Sequence, residues 1–186
     1  MINPTDNDLI RETLGGNPHA FEGLVRRYQN RLMAAMIAVC GAVQEAEDVV
    51  QETFLQAFCK LDSFRSESRF YTWLYRIAFN LSVNMRRRKR PALASEQSDG
   101  RSELEIADQT PGPEEPLSRL ERTQMVLAAI EKLPDEFRQV LVLRELEGFC
   151  YETISEVLAL PIGTVRSRLH RARLQLKEEL QAWFAD

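Results

Sequence analysis

A segment of 26 residues, 91–116, interrupts an otherwise helical sequence and is rich in proline, glycine and acidic side chains. It holds four of the eight prolines, and it carries seven acidic residues against one basic residue. Proline removes a backbone donor and glycine is costly to order, so the segment does not suit a continuous helix. Because it also has few apolar residues to bury, we predict a flexible acidic linker between two folded parts.

On both sides of this linker, apolar residues recur at spacings of three and four, and strand-like alternation is scarce. Such spacing is typical of helices that bury one face. Apolar residues make up 44% of the 186-residue chain, which is enough for a core on each side. The sequence therefore predicts an all-α protein with a helical domain over 9–90, the linker over 91–116 and a second helical domain over 117–186.

Composition disfavours several classes of protein. The longest apolar run, 32–40, has nine residues, whereas a membrane-spanning helix needs about 20. The first residues are polar and acidic rather than typical of a signal peptide. Three cysteines and two histidines show no metal-ligand spacing, and no phosphate-binding glycine motif or catalytic motif occurs. We expect a cytoplasmic protein that is not an enzyme, with no membrane insertion, no metal and no cofactor.

In the first domain, helices are predicted from about His19, over about 43–61, and from about Phe70 into the basic run 86–90. On a helical wheel with 100° per residue, the side of the second helix that is centred on Val50 is apolar and is predicted to lie in the core. The opposite side carries Asp48, Gln51, Glu52 and Leu55. Such an acidic and polar stripe is by itself typical of a solvent-exposed face.

The third of these helices mixes aromatic and basic residues. Helical angles place Phe70, Trp73 and Leu74 on its buried side, and Tyr75 and Phe79 on the opposite side with Arg76. Aromatic rings interleaved with cations suit unpaired bases, which stack on rings while their phosphates meet the cations. Packing of Tyr75 and Phe79 against a neighbouring helix is the alternative, and the cations at 86–90 also suit a helix C-terminus.

The second domain has the layout of a helix-turn-helix. Predicted helices span about 117–132, 135–145, 151–158 and 163–183, and a three-residue break at 159–161 separates the last two. Measured from Val165, the far side of the last helix carries Ser167, His170 and Arg171, flanked by Thr164, Arg166 and Arg168. Guanidinium groups bind guanine or phosphate, and small hydroxyls permit close approach, so this face predicts binding in a DNA major groove. A solvated basic face is the alternative.

Several separated strings resemble those of bacterial RNA polymerase sigma factors of the extracytoplasmic-function type. They are AEDVVQETF at 46–54, FYTWLYRIAFN at 70–80, the spaced residues Leu133, Pro134, Arg138 and 143–145, and PIGTVRSRLHRAR at 161–173. The order and spacing of these strings are more specific than any one of them. The resemblance implies a stress-response initiation factor that binds core RNA polymerase, directs it to promoters and helps melt the minus-ten element. An anti-sigma partner is common in the family.

The resemblance also implies three sets of contact residues. The set that would bind core polymerase, at its basic clamp helices, comprises Asp48, Gln51, Glu52 and Leu55. The set that would bind the melted minus-ten element comprises Phe64, Thr72, Trp73, Arg76, Asn80, Arg87 and Arg88. The set that would bind the duplex minus-thirty-five element comprises Thr164, Arg166, Ser167, Arg168, His170 and Arg171.

The helix-turn-helix departs from the family pattern at three positions. Ala159 stands where glycine is usual, which is costly if the backbone there has a positive φ. Cys150 stands where a capping serine or threonine is common, so the cap should be weaker. Ser155 replaces a small alanine.

Two other classes of function remain open on the sequence alone. A stand-alone helix-turn-helix regulator, which binds duplex DNA without polymerase, explains residues 117–186 but not the features of the first domain. An RNA-binding adaptor that uses Tyr75, Phe79 and the 86–90 run leaves the helix-turn-helix unexplained. Titration against core RNA polymerase separates all three.

Overall fold

The computed structural model describes residues 4–65, 68–93 and 116–183, and it describes their side chains except those of 87–93, 116–121 and 182–183. Over these residues the chain is helical and contains no strand, which confirms the predicted all-α class. The helices form two compact units, one before the acidic segment and one after it. Among the described helices, none combines the length and the apolar character that crossing a membrane requires.

The described part of the first unit consists of α1 (Asp6–Leu14), α2 (His19–Cys40), α3 (Val43–Cys59), a 3-10 turn (Leu61–Ser63) and α4 (Phe70–Leu93). The sequence analysis predicts α2, α3 and α4 but does not single out α1. A capping box at Thr5 and Asp8 starts this helix. Asp6 ties it to α2, because it pairs with Arg27 and accepts a hydrogen bond from Tyr28. Burial first, and then Asp6, raise the pKa of Tyr28 to about 12.

The buried side of α3 is rotated from the predicted one. Ala46, Val49, Thr53 and Ala57 are buried, whereas Val50 and Phe54 are only partly buried. The inward residues are mostly small, which allows close helix packing and leaves the larger side chains on the flank. The Thr53 hydroxyl is satisfied locally, since it donates to the Val49 carbonyl at 2.6 Å. The buried side is therefore rotated from the one centred on Val50 but still includes Ala46, Thr53 and Ala57, and the acidic side stays exposed.

Tyr75 and Phe79 pack inside the first unit, which is the alternative that the sequence left open, and not on an exposed face. Tyr75 has no exposed surface and Phe79 is 7% exposed. The α4 aromatics pack towards α2, with the Tyr28 and Tyr71 rings stacked at 5.4 Å and the Tyr71 and Tyr75 rings 6.3 Å apart. Arg31 of α2 adds a cation over the Tyr71 ring, at 4.1 Å from its centroid. The buried face of α4 is centred between Leu74 and Tyr75 and extends to Phe79, so it is rotated from the face that the apolar spacing predicted.

The basic run 86–90 lies within α4, and its first residue, Arg86, has a structural role. Arg86 donates hydrogen bonds of 2.8 Å to the carbonyls of both Val39 and Cys40, at the C-terminal end of α2. These carbonyls lack helical partners, so a guanidinium there acts as a cap. The helix itself continues through Pro91 to Leu93, past the predicted start of the linker. The remaining linker residues, 94–115, and with them the prediction of a flexible linker, lie outside the described residues.

The described part of the second unit consists of α5 (Pro116–Glu131), α6 (Asp135–Leu141), a π-helical turn (Val142–Leu146), α7 (Tyr151–Leu158) and α8 (Ile162–Trp183). All four predicted helices are present, and the predicted 135–145 helix ends in the π-helical turn. Buried Arg138 donates to the carbonyls of Glu131 and Leu133, which fixes the end of α5. The core contains Leu141, Leu143, Ile154, Val165 and Leu169.

The three departures from the family pattern, Ala159, Cys150 and Ser155, lie in α7 or directly beside it. Ala159 has φ 52° and ψ 46°, the left-handed conformation in which glycine is favoured. Cys150 precedes α7 without a side-chain hydrogen bond to the helix backbone. Ser155 compensates in part, because its hydroxyl donates to the Leu160 carbonyl while its own carbonyl accepts from the Leu160 N–H at 3.0 Å.

Burial of the α4 aromatics predicts the effect of shortening Phe79. Phe79→Ala should lower the free energy of unfolding by about 3–5 kcal/mol, because it leaves a cavity in the core. Phe58→Ala, at a ring that is 45% exposed, is the matched control and should cost much less. Denaturant unfolding followed by circular dichroism measures both. Equal losses would contradict the packing described for Phe79.

The left-handed Ala159 predicts a stabilising substitution. Ala159→Gly should raise the unfolding free energy of the second unit by roughly 0.5–1 kcal/mol, since relief of about 1–2 kcal/mol of strain is offset by about 0.4–1 kcal/mol of chain entropy. Ala128→Gly, inside α5, is the control and should destabilise by about 0.5–1 kcal/mol. If both changes destabilise in denaturant titrations, Ala159 is not strained.

Candidate nucleic-acid and protein-binding surfaces

The acidic stripe, defined as Asp48, Gln51, Glu52 and Leu55 of α3, is exposed along its whole length. All four residues line one groove of about 630 Å³, whose other wall is formed by Leu81, Asn84 and Met85 of α4. The Glu52 carboxylate accepts a hydrogen bond of 3.0 Å from Gln56, one turn further along α3. The structure therefore brings this predicted set together on one surface. Two carboxylates beside an apolar floor suit a basic partner with an apolar contact.

A second groove, of about 570 Å³, lies between α2 and α3 and is mostly apolar. It is lined by side chains of α2 and α3 that include Phe21, Val25, Met33, Val50, Phe54, Leu55 and Phe58. Leu55 is 58% exposed and lines both grooves, so it forms the ridge between them. The apolar spacing of α3 did not indicate this groove, because the predicted buried side was centred on Val50, which lines the groove. The exposed apolar residues Leu55 and Phe58, three positions apart on α3, were the available signal.

The aromatic cluster, defined as Phe64, Phe70 and Trp73, lies at the start of α4. Ring centroids are 5.3 Å apart for Phe64 and Trp73, 5.6 Å for Phe64 and Phe70, and 5.7 Å for Phe70 and Trp73. Phe70 is buried, whereas Phe64 and Trp73 keep part of their surface exposed. The rings of Phe64 and Trp73 thus pack on buried Phe70 and remain accessible to a ligand.

The other residues predicted for the minus-ten element follow along α4. Thr72, Arg76 and Asn80 are spaced by four and share one face of the helix; Asn80 is exposed and the other two are half-buried. The structure therefore gathers Phe64, Trp73 and this polar row around one helix. The side chains of Arg87 and Arg88 lie outside the described residues.

The helix-turn-helix packs as its apolar pattern predicts. Val165, Leu169 and Ala172 of α8 are buried, and so are Ile154 and Val157 of α7, the helix that packs against it. This packing turns the opposite side of α8 outward. Exposed residues there are Arg166, Ser167, His170 and Arg171, and Thr164 and Arg168 are half-buried.

The cations of α8 differ in their partners. Arg168 forms an ion pair of 2.7 Å with Glu136 of α6, and Arg173 pairs with Glu145 at 2.6 Å. Both guanidinium groups therefore hold α8 to the rest of the unit. Among the described side chains, His170 and Arg171 form no ion pair with a carboxylate, and both are exposed. Arg168 stays a predicted DNA contact, but its guanidinium is already engaged by a carboxylate.

Arg166 has a different neighbour, which the sequence analysis missed. Its guanidinium carbon lies 5.6 Å from the ring centroid of Tyr151, the first residue of α7. Arg144, from the π-helical turn, lies 5.0 Å from the same centroid and donates to the Phe149 carbonyl at 2.9 Å. Hydrogen bonds from its own backbone and from Cys150 lower the pKa of Glu152, and the charges of Arg166 and Arg144 lower it further.

Comparison with known families assigns each unit separately. Sigma-70 region 2 matches residues 24–91, and Sigma-70, region 4, matches residues 123–176. The first match covers α3 and most of α2 and α4, and the second covers the helix-turn-helix. The two matches thus fall on the two units that carry the surfaces described above.

Relatives align along nearly the whole chain. The chain is 40% identical over 185 residues to the ECF RNA polymerase sigma-E factor of Haemophilus influenzae, with 95% of this chain and 96% of that protein aligned. It is 39% identical over 184 residues to the RNA polymerase sigma-H factor of Pseudomonas aeruginosa, with 95% and 94% aligned.

Two solved structures have a similar fold. The sigma factor RpoE, in its co-crystal structure with the anti-sigma factor NepR from Bartonella quintana, has a TM-score of 0.70 and 30% identity over 87% of this chain and 96% of that one. CnrH, in complex with the cytosolic domain of CnrY, has a TM-score of 0.66 and 28% identity over 94% of this chain and 96% of that one. Together with the full-length relatives, these matches show that the chain belongs to the ECF family of RNA polymerase sigma factors.

Proposed function

We propose that this protein is a transcription initiation factor that binds core RNA polymerase and directs it to specific promoters. The observation that carries the proposal is the presence of both sigma regions on one chain, with 40% identity to a sigma-E factor over 95% of its length. A stand-alone regulator would need only the helix-turn-helix and leaves the region 2 match without a role. Family members act on polymerase as initiation factors, so we assign no catalytic step and place the protein in the cytoplasm.

The first unit is proposed to dock on the clamp helices of the polymerase largest subunit through the acidic stripe. Asp48 and Glu52 are exposed on α3, and Leu55 presents an apolar surface beside them. Charged groups of this kind speed the association of two proteins and fix how they align. The apolar residue adds surface that is removed from water in the complex, which stabilises it. The adjoining α4 wall, with Leu81 and Met85, extends the same surface.

The aromatic cluster and the polar row of α4 are proposed to hold the melted minus-ten strand. Phe64 and Trp73 are the partly exposed aromatics there, and stacking on such rings is favourable for any base. Asn80 adds an amide that can donate to and accept from a base edge. Since Tyr75 and Phe79 are buried, they support this surface from inside and do not contact bases themselves.

The second unit is proposed to insert α8 into the major groove at the minus-thirty-five element. Arg166, Ser167, His170 and Arg171 form the exposed arc, and the apolar side of α8 is fixed on α7. An arginine that reaches a guanine contributes base discrimination, and nearby hydroxyls allow the helix to approach closely. We place domain boundaries near 9–90 and 117–186 for these two roles.

An anti-sigma factor is proposed as a further partner. The two solved relatives were captured with NepR and with the cytosolic domain of CnrY. The exposed acidic stripe and the apolar groove beside it are surfaces that such a partner would mask.

Reversal of charge on the acidic stripe tests polymerase binding. Asp48→Lys with Glu52→Lys should weaken core-polymerase affinity at least about tenfold, because like charges would then face a basic surface. Glu12→Lys with Asp62→Lys makes the same change in net charge outside the stripe and is the control. Titration of each variant against core polymerase gives the affinities. Equal affinity for the two double variants would assign the stripe to solvent, and tight promoter binding without polymerase would favour a stand-alone regulator.

Base reading by α8 is tested with Arg171. Arg171→Ala should relax preference at one upstream base pair, by roughly 5- to 150-fold for a lost contact of about 1–3 kcal/mol. Arg173→Ala, at a cation paired with Glu145, should change activity evenly across promoters. Transcription by the reconstituted holoenzyme from a library of single-base upstream variants measures both. An even loss for Arg171→Ala would make it a phosphate contact.

A further inference from the structure

The exposed arc of α8 contains one arginine that is held by an aromatic ring. Arg166 and Arg144 both lie within 6 Å of the Tyr151 ring centroid, at 5.6 Å and 5.0 Å. That range is where the negative face of an aromatic ring attracts a cation. Arg144 is itself anchored, because it donates to the Phe149 carbonyl. The ring thus joins the end of the π-helical turn, the start of α7 and the exposed arc of α8.

This arrangement differs from that of the other paired arginines of α8. Arg168 and Arg173 use their N–H groups on the carboxylates of Glu136 and Glu145. A guanidinium attracted to a ring makes no hydrogen bond to it, so its donors remain available for a base or a phosphate. The contact therefore restricts where Arg166 points without occupying the groups that would read DNA.

We propose that Tyr151 is a positioning residue for upstream promoter recognition, whose ring orients Arg166 towards the major groove. The inference rests on the proposed function of α8. The effect on base preference is assigned to the ring of Tyr151 and not to its hydroxyl. Tyr151 acts through Arg166 and makes no separate contact with DNA. A long arginine side chain otherwise loses rotamer freedom on binding, and a ring that holds it beforehand reduces that loss.

The experiment compares ring-keeping and ring-removing variants in the reconstituted holoenzyme. Tyr151→Phe, Tyr151→Leu, Arg166→Ala and the double variant Tyr151→Leu with Arg166→Ala are assayed on the library of upstream single-base variants. Tyr151→Leu should lower preference about two- to fivefold, the range expected for a cation–ring contact near the surface. The affected base pair should be the one that responds to Arg166→Ala. Tyr151→Phe should keep the preference, and Tyr151→Leu should add no further loss of preference to Arg166→Ala.

Three results would overturn the inference while leaving the proposed function intact. They are an unchanged base preference in Tyr151→Leu, a Tyr151→Phe variant as defective as Tyr151→Leu, or a loss from Tyr151→Leu that persists in the Arg166→Ala background. Thermal unfolding of the same variants detects a folding defect. Such a defect would reduce transcription from every promoter evenly, unlike a loss of preference at one base pair. If the wild-type holoenzyme shows no upstream base preference at all, the proposed function fails and the inference falls with it.

Discussion

Packing of α4 against α2 is the contact on which the surfaces of the first unit depend. Tyr28, Tyr71 and Tyr75 form a continuous aromatic contact between the two helices, and Arg86 caps the end of α2 from the other end of α4. The same helix supplies the aromatic cluster at its start and one wall of the acidic groove further along. One rigid helix therefore places the proposed base-binding and polymerase-binding surfaces in a fixed relation. A shift of α4 would move both.

In the second unit, two of the arginines of α8 are paired with carboxylates among the described side chains and two are not. Glu136 and Glu145 hold Arg168 and Arg173, which fastens α8 along its length. Arg166 and Arg171 are left on the exposed arc with His170. A run of five basic groups in residues 161–177 thus overstates the number available to DNA. This division also fits a factor that depends on polymerase for promoter binding, since few free cations give a weak electrostatic contribution by themselves.

The sequence predicted every described helix except α1, and the outward face of α8, because each of these follows from apolar spacing along one helix. It also predicted the exposed side of α3, where Asp48 and Glu52 lie on the side of the helix away from buried Ala46 and Ala57. It failed for Tyr75, Phe79 and Val50, whose environment is set by which other helices surround them. The Tyr151 contact was equally out of reach, since it joins residues from three elements. Helical angles give a direction on one helix, and burial depends on how many sides of that helix are covered.

The exposed apolar residues of α3 indicate why the first unit needs a partner. Leu55 and Phe58 are 58% and 45% exposed on a helix whose inward side is built from small residues. Rotating α3 to bury them would turn Ala46 and Ala57 outward. The close packing of α3 on the rest of the unit, which these small residues allow, would then be replaced by a looser contact. It would also carry Asp48 and Glu52 towards the core, where unpaired carboxylates are costly. The observed orientation therefore keeps the charges in water and leaves two large apolar side chains on a ridge between grooves, where a docking helix can bury them without any change in the fold.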